Sequence, residues 1–542
     1  MSTVTVQDRY GDDDIRAFYQ AGYWQEGGLA QLADERARSH GDKVFVSDGT
    51  SARTYAAVRD QAAGLAAGLR RLGVGRGDRV AVQLPNWTEF AVIALAVSRL
   101  GAILVPIMPI YRGAEVGYVL RHAGVKVAIT CAEFKGFDHL GMFRGLRAEL
   151  PDLEELVVVR GAGAVALDEL MDVPDADVTA PPSPDEPFLI VYTSGTTSRP
   201  KGCLHTVNTL RASAAAIARS VRYTEDDVQF GPSPITHSTG LVTSVVLPML
   251  AGASSHLMEA WEPEEGLQRI AKHGCTAAVT ATPFLQMLTA AYDPDRHDAS
   301  SLRLWVCAGS PIPGTIVHRA SEQFQGCRVL SLYGRSENFL TTMCTVDDPP
   351  ERSATSDGAA LAGASVKIVD ALGEEVPRGT EGDIAYRGPS HMLQYYRDPE
   401  QTAALFTADG YSRSGDLGYM DPDGYVRVTG RLKDIVIRGG LNISARELED
   451  LLADHPSVDQ VAVVGMPDER LGERVCAYVV PAAGREPTLD ELTGYLRGRD
   501  LATPKLPERL ELVEKLPLTA TGKVRKHLLR EDIRAKLAEP GP

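Results

Sequence analysis

The sequence predicts an α/β protein in which a large N-terminal domain of several sheets, with mostly parallel strands, precedes a small α+β C-terminal domain. From about residue 40 to 400, β-branched runs alternate with amphipathic stretches, the pattern of βαβ units. At 542 residues and 44% hydrophobic content the chain exceeds what one core holds, so at least two domains are expected. After Gly430-Arg-Leu-Lys-Asp434 the pattern restarts as a unit of about 110 residues, a usual size for a small α+β domain.

Taken in order, Lys43–Val46 reads as a strand, Tyr55–Leu72 as an Ala/Leu/Arg-rich helix and Arg79–Leu84 as the next strand. Asn86 is placed to cap the helix that runs through Leu100. The run from Leu156 to Ala166 is a strand followed by G-x-G-x-x-A, but no second strand ending in an acidic residue follows about 20 positions on, so no dinucleotide site is expected there. Gly/Pro/Asp clusters at Ala180–Asp185 and Met420–Gly424 mark loops. In the last unit a helix over Glu447–Ala453, strands over Gln460–Val464 and Val475–Val480, a helix over Leu489–Leu496 and a late strand are expected. The boundary is placed near 430, giving domains 1–430 and 431–542, and the final dozen residues read as a polar, fraying tail.

A net charge of -16 argues against long-range attraction to nucleic acid or an anionic membrane. The N-terminus carries Asp12-Asp13-Asp14 rather than a basic and then apolar leader, and the apolar stretches fall short of a membrane span, so a cytoplasmic protein is expected. The seven cysteines form no C-x-x-C pair, which suits buried thiols in a reducing compartment and implies no structural metal.

The chemistry concentrates in short motifs. Tyr192-Thr-Ser-Gly-Thr-Thr-Ser-Arg-Pro-Lys-Gly202 is dense in hydroxyls and glycines and ends in a lysine, the composition needed to wrap donors around a polyphosphate. It is not a Walker loop, which requires Gly, four residues, then Gly-Lys-Ser/Thr. Further on come Ala308-Gly-Ser-Pro311, Tyr333-Gly-Arg-Ser-Glu337, Ser414-Gly-Asp416-Leu-Gly418, Gly430-Arg431-Leu-Lys433-Asp, Arg438-Gly-Gly440-Leu-Asn-Ile443 and Pro517-Leu-Thr-Ala-Thr-Gly-Lys523.

In this order and spacing the motifs resemble the adenylate-forming superfamily of acyl-CoA synthetases, adenylation domains and luciferases, from about residue 40 to 530. The resemblance implies ATP and Mg²⁺ as cofactors. Thr193, Ser194, Gly195, Thr196, Thr197 and Lys201 would grip the outer phosphates, and Gly309, Ser310, Pro311 and Tyr333 would receive adenine. Ser336 would bond the α-phosphate and Glu337 would hold the metal. Asp416 and Arg431 would take the ribose, and Lys523 would neutralise charge where carboxylate meets α-phosphorus. Lys433 matches the family's hinge position, and the loop at Gly440 would line a tunnel for a pantetheine thiol.

The resemblance is closest to bacterial ligases for cyclohexanecarboxylate and aryl acids, through Pro106–Arg112, Ser233–Gly240 and Thr282–Phe284. His237, like Gly309, would flank the acid. Two departures stand out: Ser198 in place of a usual glycine, and Arg335 where the residue facing the acyl pocket is commonly apolar. A guanidinium there is costly unless a polar or anionic group meets it, so the expected substrate is an aryl, cyclic or medium-chain acid with a polar substituent. The implied reaction is activation to an acyl-adenylate, then transfer to CoA. The alternatives are a carrier protein or an amine as acceptor, or diazotase-like activation of nitrite for an aromatic amine. A monomer or homodimer is expected.

Overall fold

The computed structural model describes residues 4–174, 181–193, 200–309, 312–499, 501–519 and 523–538, and of Asn442 the backbone alone. These divide into two compact units: one takes in the described residues up to 365 together with 387–406, the other 366–386 and everything from 407 onward.

The first unit is built on two sheets, each eight-stranded among the described residues. In one, Arg328–Tyr333, Leu304–Ala308, Ala277–Ala281, Val228–Gly231 and Ser254–Leu257 lie side by side and parallel, and Val44–Ser47 continues the set. In the other, Pro187–Tyr192, Ile103–Pro106, Arg79–Gln83, Val125–Cys131 and Glu155–Val159 are parallel, while Gly202–Thr206 folds back antiparallel on Pro187–Tyr192. Several of these strands are continuous apolar runs, as strands buried on both faces of a parallel sheet are. Leu304–Ala308 and Ile103–Pro106, for example, are buried along their whole length.

The second unit holds a four-stranded sheet of Ser365–Val369, Gly382–Arg387, Ser412–Met420 and Val426–Arg431. It also holds a sheet, five-stranded among the described residues, in which Gly472–Pro481 is central and pairs antiparallel along its length with the long edge strand Val458–Asp468. The helix Ala445–Ala453, capped by the Ser444 hydroxyl on Glu447 N, buries Leu448 and Leu452 on that sheet. The α/β class with mostly parallel sheets and an α+β C-terminal part is therefore the observed one.

Three local readings change. Asn86 caps no helix: the helix Glu89–Leu100 follows Thr88, and Asn86 Nδ2 instead donates to the carbonyls of Gly231, Ser233 and Met258 while its Oδ1 accepts from Ile235 N. The tail is not frayed over the described residues. Lys526–Ala538 is a helix that buries Leu529 and Ile533, four residues apart on one face. The strand of the second unit is also longer than its apolar kernel, because its partner offers ladder bonds to Asp468. After the strand Glu155–Val159, the G-x-G-x-x-A run leads through the short strand Val165–Ala166 to the five-residue helix Leu167–Met171. All seven cysteines are buried and none forms a disulfide. Among the described residues no helix is long and apolar enough to cross a membrane.

Candidate active site

The first sheet presents its parallel strands' carboxyl ends on one edge, where open α/β sheets bind ligands. Val228–Gly231 is followed there by the Ser233–Gly240 segment with His237, Ala277–Ala281 by Thr282–Phe284, Leu304–Ala308 by Gly309, and Arg328–Tyr333 by the turn to Glu337. Four of the anticipated positions, His237, Gly309, Tyr333 and Glu337, are thus delivered to one rim by topology alone. Gly309 adopts φ +80°, a conformation that glycine enters without penalty. His237 begins the short helix Ser238–Leu241, with Nδ1 3.4 Å from Thr239 N, and Gly240 is required because a Cβ would lie 2.2 Å from the Pro234 carbonyl oxygen.

The turn at 334–339 is tightly made. A Cβ on Gly334 would stand 1.9 Å from Phe339 O, and Phe339 itself is held at φ +49°. Asn338, fully buried, braces it: Nδ2 donates to Leu340 O and Thr341 Oγ1, and Oδ1 accepts from Arg335 Nε at 3.1 Å. Arg335 is thereby tied to its own turn, and its charge also reaches buried His391 and Tyr395.

In the second sheet, Pro187–Tyr192 and Gly202–Thr206 pair antiparallel on either side of the hydroxyl-rich segment. Tyr192 pairs with Gly202, Thr193 N donates to Lys201 O at 2.9 Å, and Thr193 Oγ1 accepts from Lys201 N at 3.4 Å. Ser194, Gly195, Thr196 and Thr197 of this loop, with Ser310 and Pro311, lie outside the described residues. Lys201 Nζ donates to Gln401 Oε1 at 2.7 Å and rides 4.6 Å above the Tyr395 ring centroid, a cation–π contact that stabilises by about 0.5–2 kcal/mol.

Three bonds join the hairpin's sheet to the Tyr333–Glu337 turn. Met392 N donates to Glu337 O at 2.7 Å, Tyr395 Oη donates to Glu337 Oε1 at 2.6 Å, and His205 Nε2 lies 2.8 Å from Ser336 O. Burial and the neighbouring Glu337 carboxylate raise the Tyr395 phenol far above its ordinary range, so it remains a donor. Such a bond to a charged acceptor stabilises by about 1.5–3 kcal/mol. Glu337 offers a hard carboxylate oxygen, bonded by the Tyr395 side chain that also contacts Lys201, the donor type Mg²⁺ takes when phosphate oxygens and waters complete its shell. The residues present therefore fit that ion.

His205 was not anticipated. A carbonyl only accepts, so Nε2 carries the proton and Nδ1, 3.1 Å from Thr209 Oγ1, accepts. Burial drives its pKa down to about 3. Its folded value thus lies below the unfolded value near 6.5, and the unfolded chain takes up a proton that the native state refuses. The contribution of His205 to stability is complete above about pH 6.5 and is lost as pH falls towards 3, the loss reaching about 2 kcal/mol by pH 5. Melts of wild type and His205→Gln from pH 8 to 5 should show the steeper loss in wild type. Parallel slopes would contradict this.

In the second unit, Asp416 and Arg431 face each other across Ser412–Met420 and Val426–Arg431, with Nε to Oδ1 at 2.8 Å and the Asp416 side chain 8% exposed. Ser414 and Asp416 interlock through two hydrogen bonds, and Asp383 Oδ1 accepts from Gly415 N. Lys433 is exposed in the short turn Leu432–Asp434. The terminal helix reaches that turn: Arg530 Nη2 donates to Lys433 O at 3.1 Å and pairs with Asp434 at 2.6 Å. Gly440, at φ +85°, makes the hairpin turn between Ile435–Arg438 and Leu441–Ser444. Lys523 sits on a hairpin whose Thr519 Oγ1 accepts from Lys523 N at 3.0 Å, while Thr519 N donates to Lys523 O at 2.7 Å.

The family model described as AMP-binding enzyme matches residues 33–396, and that described as AMP-binding enzyme C-terminal domain matches 447–523. The chain is 36% identical to a medium-chain fatty-acid–CoA ligase of Escherichia coli over 545 aligned residues, covering 99% of this chain and 96% of the relative. It is 31% identical to 2,3-dihydroxybenzoate-AMP ligase of Bacillus subtilis, covering 97% of each. Among solved structures, the anthranilate CoA ligase AuaEII in complex with anthranoyl-AMP superposes with a TM-score of 0.87 at 26% identity, covering 95% of this chain and 98% of that one.

Proposed function

Because the chain belongs to the family of AMP-binding enzymes, whose members use ATP to activate acids as adenylates, we propose that it is an acid–CoA ligase acting on an aryl, cyclic or medium-chain carboxylate with a polar substituent. The observation that supports the reading is that Tyr395 contacts both Lys201 and the Glu337 carboxylate while His205 bonds Ser336, so that an ammonium and a carboxylate suited to phosphate and metal lie on one residue's two sides.

In the first half-reaction a carboxylate oxygen attacks the α-phosphorus, and the bond to the bridging oxygen of pyrophosphate breaks in line. Both reactants are anions, so neutralisation of charge dominates the barrier. Lys201 and Thr193 bind the departing phosphates, Ser336 the α-phosphate, Asp416 and Arg431 the ribose, and Tyr333 the adenine. Glu337 would hold Mg²⁺, which when bound spreads the phosphate charge. Lys523 bridges carboxylate and α-phosphate oxygens as a point charge on a flexible stem. In the second half-reaction the thiol of CoA loses its proton, attacks the acyl carbon and displaces AMP. For that step the C-terminal domain, 431–542, would turn about Lys433 so that the Gly440 hairpin lines the thiol's path. A name that specifies anthranoyl-AMP for one relative and dihydroxybenzoate for another supports an acid carrying a polar ring substituent.

A screen of substituted and plain aryl, cyclic and aliphatic acids for pyrophosphate release, with and without CoA, tests the reading. Substituted acids should be best with wild type, and Arg335→Met should cost them at least tenfold in kcat/KM, about 1.4 kcal/mol, while sparing plain acids. Plain hydrophobic acids preferred by wild type would refute the role of Arg335. Adenylation without thioester formation would refute CoA as acceptor.

A further inference from the structure

Tyr395 lies on the edge strand Gln394–Tyr395, in register with Cys203, two residues beyond Lys201. It is 3% exposed, so packing fixes the rotamer that aims its two faces. Its hydroxyl donates to Glu337 Oε1 at 2.6 Å, and its ring lies under Lys201 Nζ at 4.6 Å.

The two contacts do different things. The phenol bond fixes the plane of a carboxylate that would otherwise rotate about its last torsion. The ring attracts the ammonium by its electron-rich face and, with the Gln401 amide oxygen at 2.7 Å, holds Lys201 through neutral groups. A carboxylate in their place would also hold the lysine, but would compete with phosphate for its charge. Tyr395 therefore orients one cation and one anion without neutralising either.

We propose that Tyr395 is the positioning residue that sets the metal-binding oxygen of Glu337 and the phosphate-binding ammonium of Lys201 in one fixed relation, so that Mg²⁺ and the outer phosphates of ATP are received together. The inference rests on the adenylation reading above, in which Glu337 holds the metal.

Calorimetric binding of ATP, with Mg²⁺ and in its absence with chelator, tests this on the full chain without turnover. Tyr395→Phe keeps the ring and loses the hydroxyl. Its affinity for MgATP should fall about 10- to 100-fold, the usual cost of removing a group that orients a metal ligand, with metal-free ATP unaffected. Tyr395→Leu should also weaken metal-free ATP, because Lys201 loses its platform. If Tyr395→Phe binds MgATP like wild type, or loses both forms of ATP equally, the positioning role is overturned. Glu337→Gln separates the two levels: unchanged MgATP binding in that variant would overturn the metal-binding reading itself.

Discussion

Replacing Lys523 with alanine is expected to lower kcat/KM for adenylation by about 10²–10³, equivalent to about 2.7–4 kcal/mol, while ATP still binds. In the proposed reaction the residue would offset repulsion between two anions in the transition state, and a group that acts only there is felt in the rate rather than in the ground-state complex. The bonds between Thr519 and Lys523 make the hairpin a support for the side chain, so the truncation should leave its backbone unchanged. Equilibrium binding of ATP and single-turnover formation of acyl-adenylate separate the two quantities. Adenylation at the wild-type rate would show that Lys523 is not the bridging cation. Thioester formation from added acyl-adenylate should survive the substitution if, as proposed, the C-terminal domain turns between the two half-reactions.

Asp416→Ala should have a comparably large effect, but on binding. A buried carboxylate held by Arg431 and framed by Gly415 and Ser414 is placed to accept from two adjacent hydroxyls. Losing two hydrogen bonds to a charged acceptor costs about 3 kcal/mol, or roughly 100-fold in Kd for ATP. The control is 2′-deoxy-ATP. It should bind wild type more weakly than ATP does, whereas the Asp416→Ala variant should no longer distinguish the two nucleotides. Retained discrimination would place the ribose elsewhere.

The larger features of the fold were legible because they are periodic. The alternation of β-branched runs with amphipathic helices persists over hundreds of residues, and the motif order needs no structure to be read. What the sequence hid is carried by single residues whose partners lie far away. His205 and Tyr395 reach Ser336 and Glu337 from 131 and 58 positions away. Nothing local marks them, since a histidine and a tyrosine in strands are more often core. Asn86 misled because an asparagine just before a helix is a cap by local rules, yet here the carbonyls of Gly231, Ser233 and Met258 outcompeted the helix end for its amide. In the tail, the spacing of Leu529 and Ile533 was the available signal, obscured by the charged residues between them.

The site shows the same division. Residues in glycine- and hydroxyl-rich motifs stand out in the chain as candidates, because a backbone that approaches phosphate needs those side chains. The groups that orient them could not. Arg335 illustrates the boundary: its place in the turn was evident, while its bond to Asn338 depends on the buried amide three residues on.

The central claim is that this protein adenylates a carboxylic acid, and acid-dependent exchange of labelled pyrophosphate into ATP tests it most directly. The account predicts exchange that requires both a substituted aryl, cyclic or medium-chain acid and Mg²⁺, proceeds without CoA, and is lost in Lys523→Ala. Absence of exchange with every acid in the panel, by a folded protein that binds ATP, would contradict it.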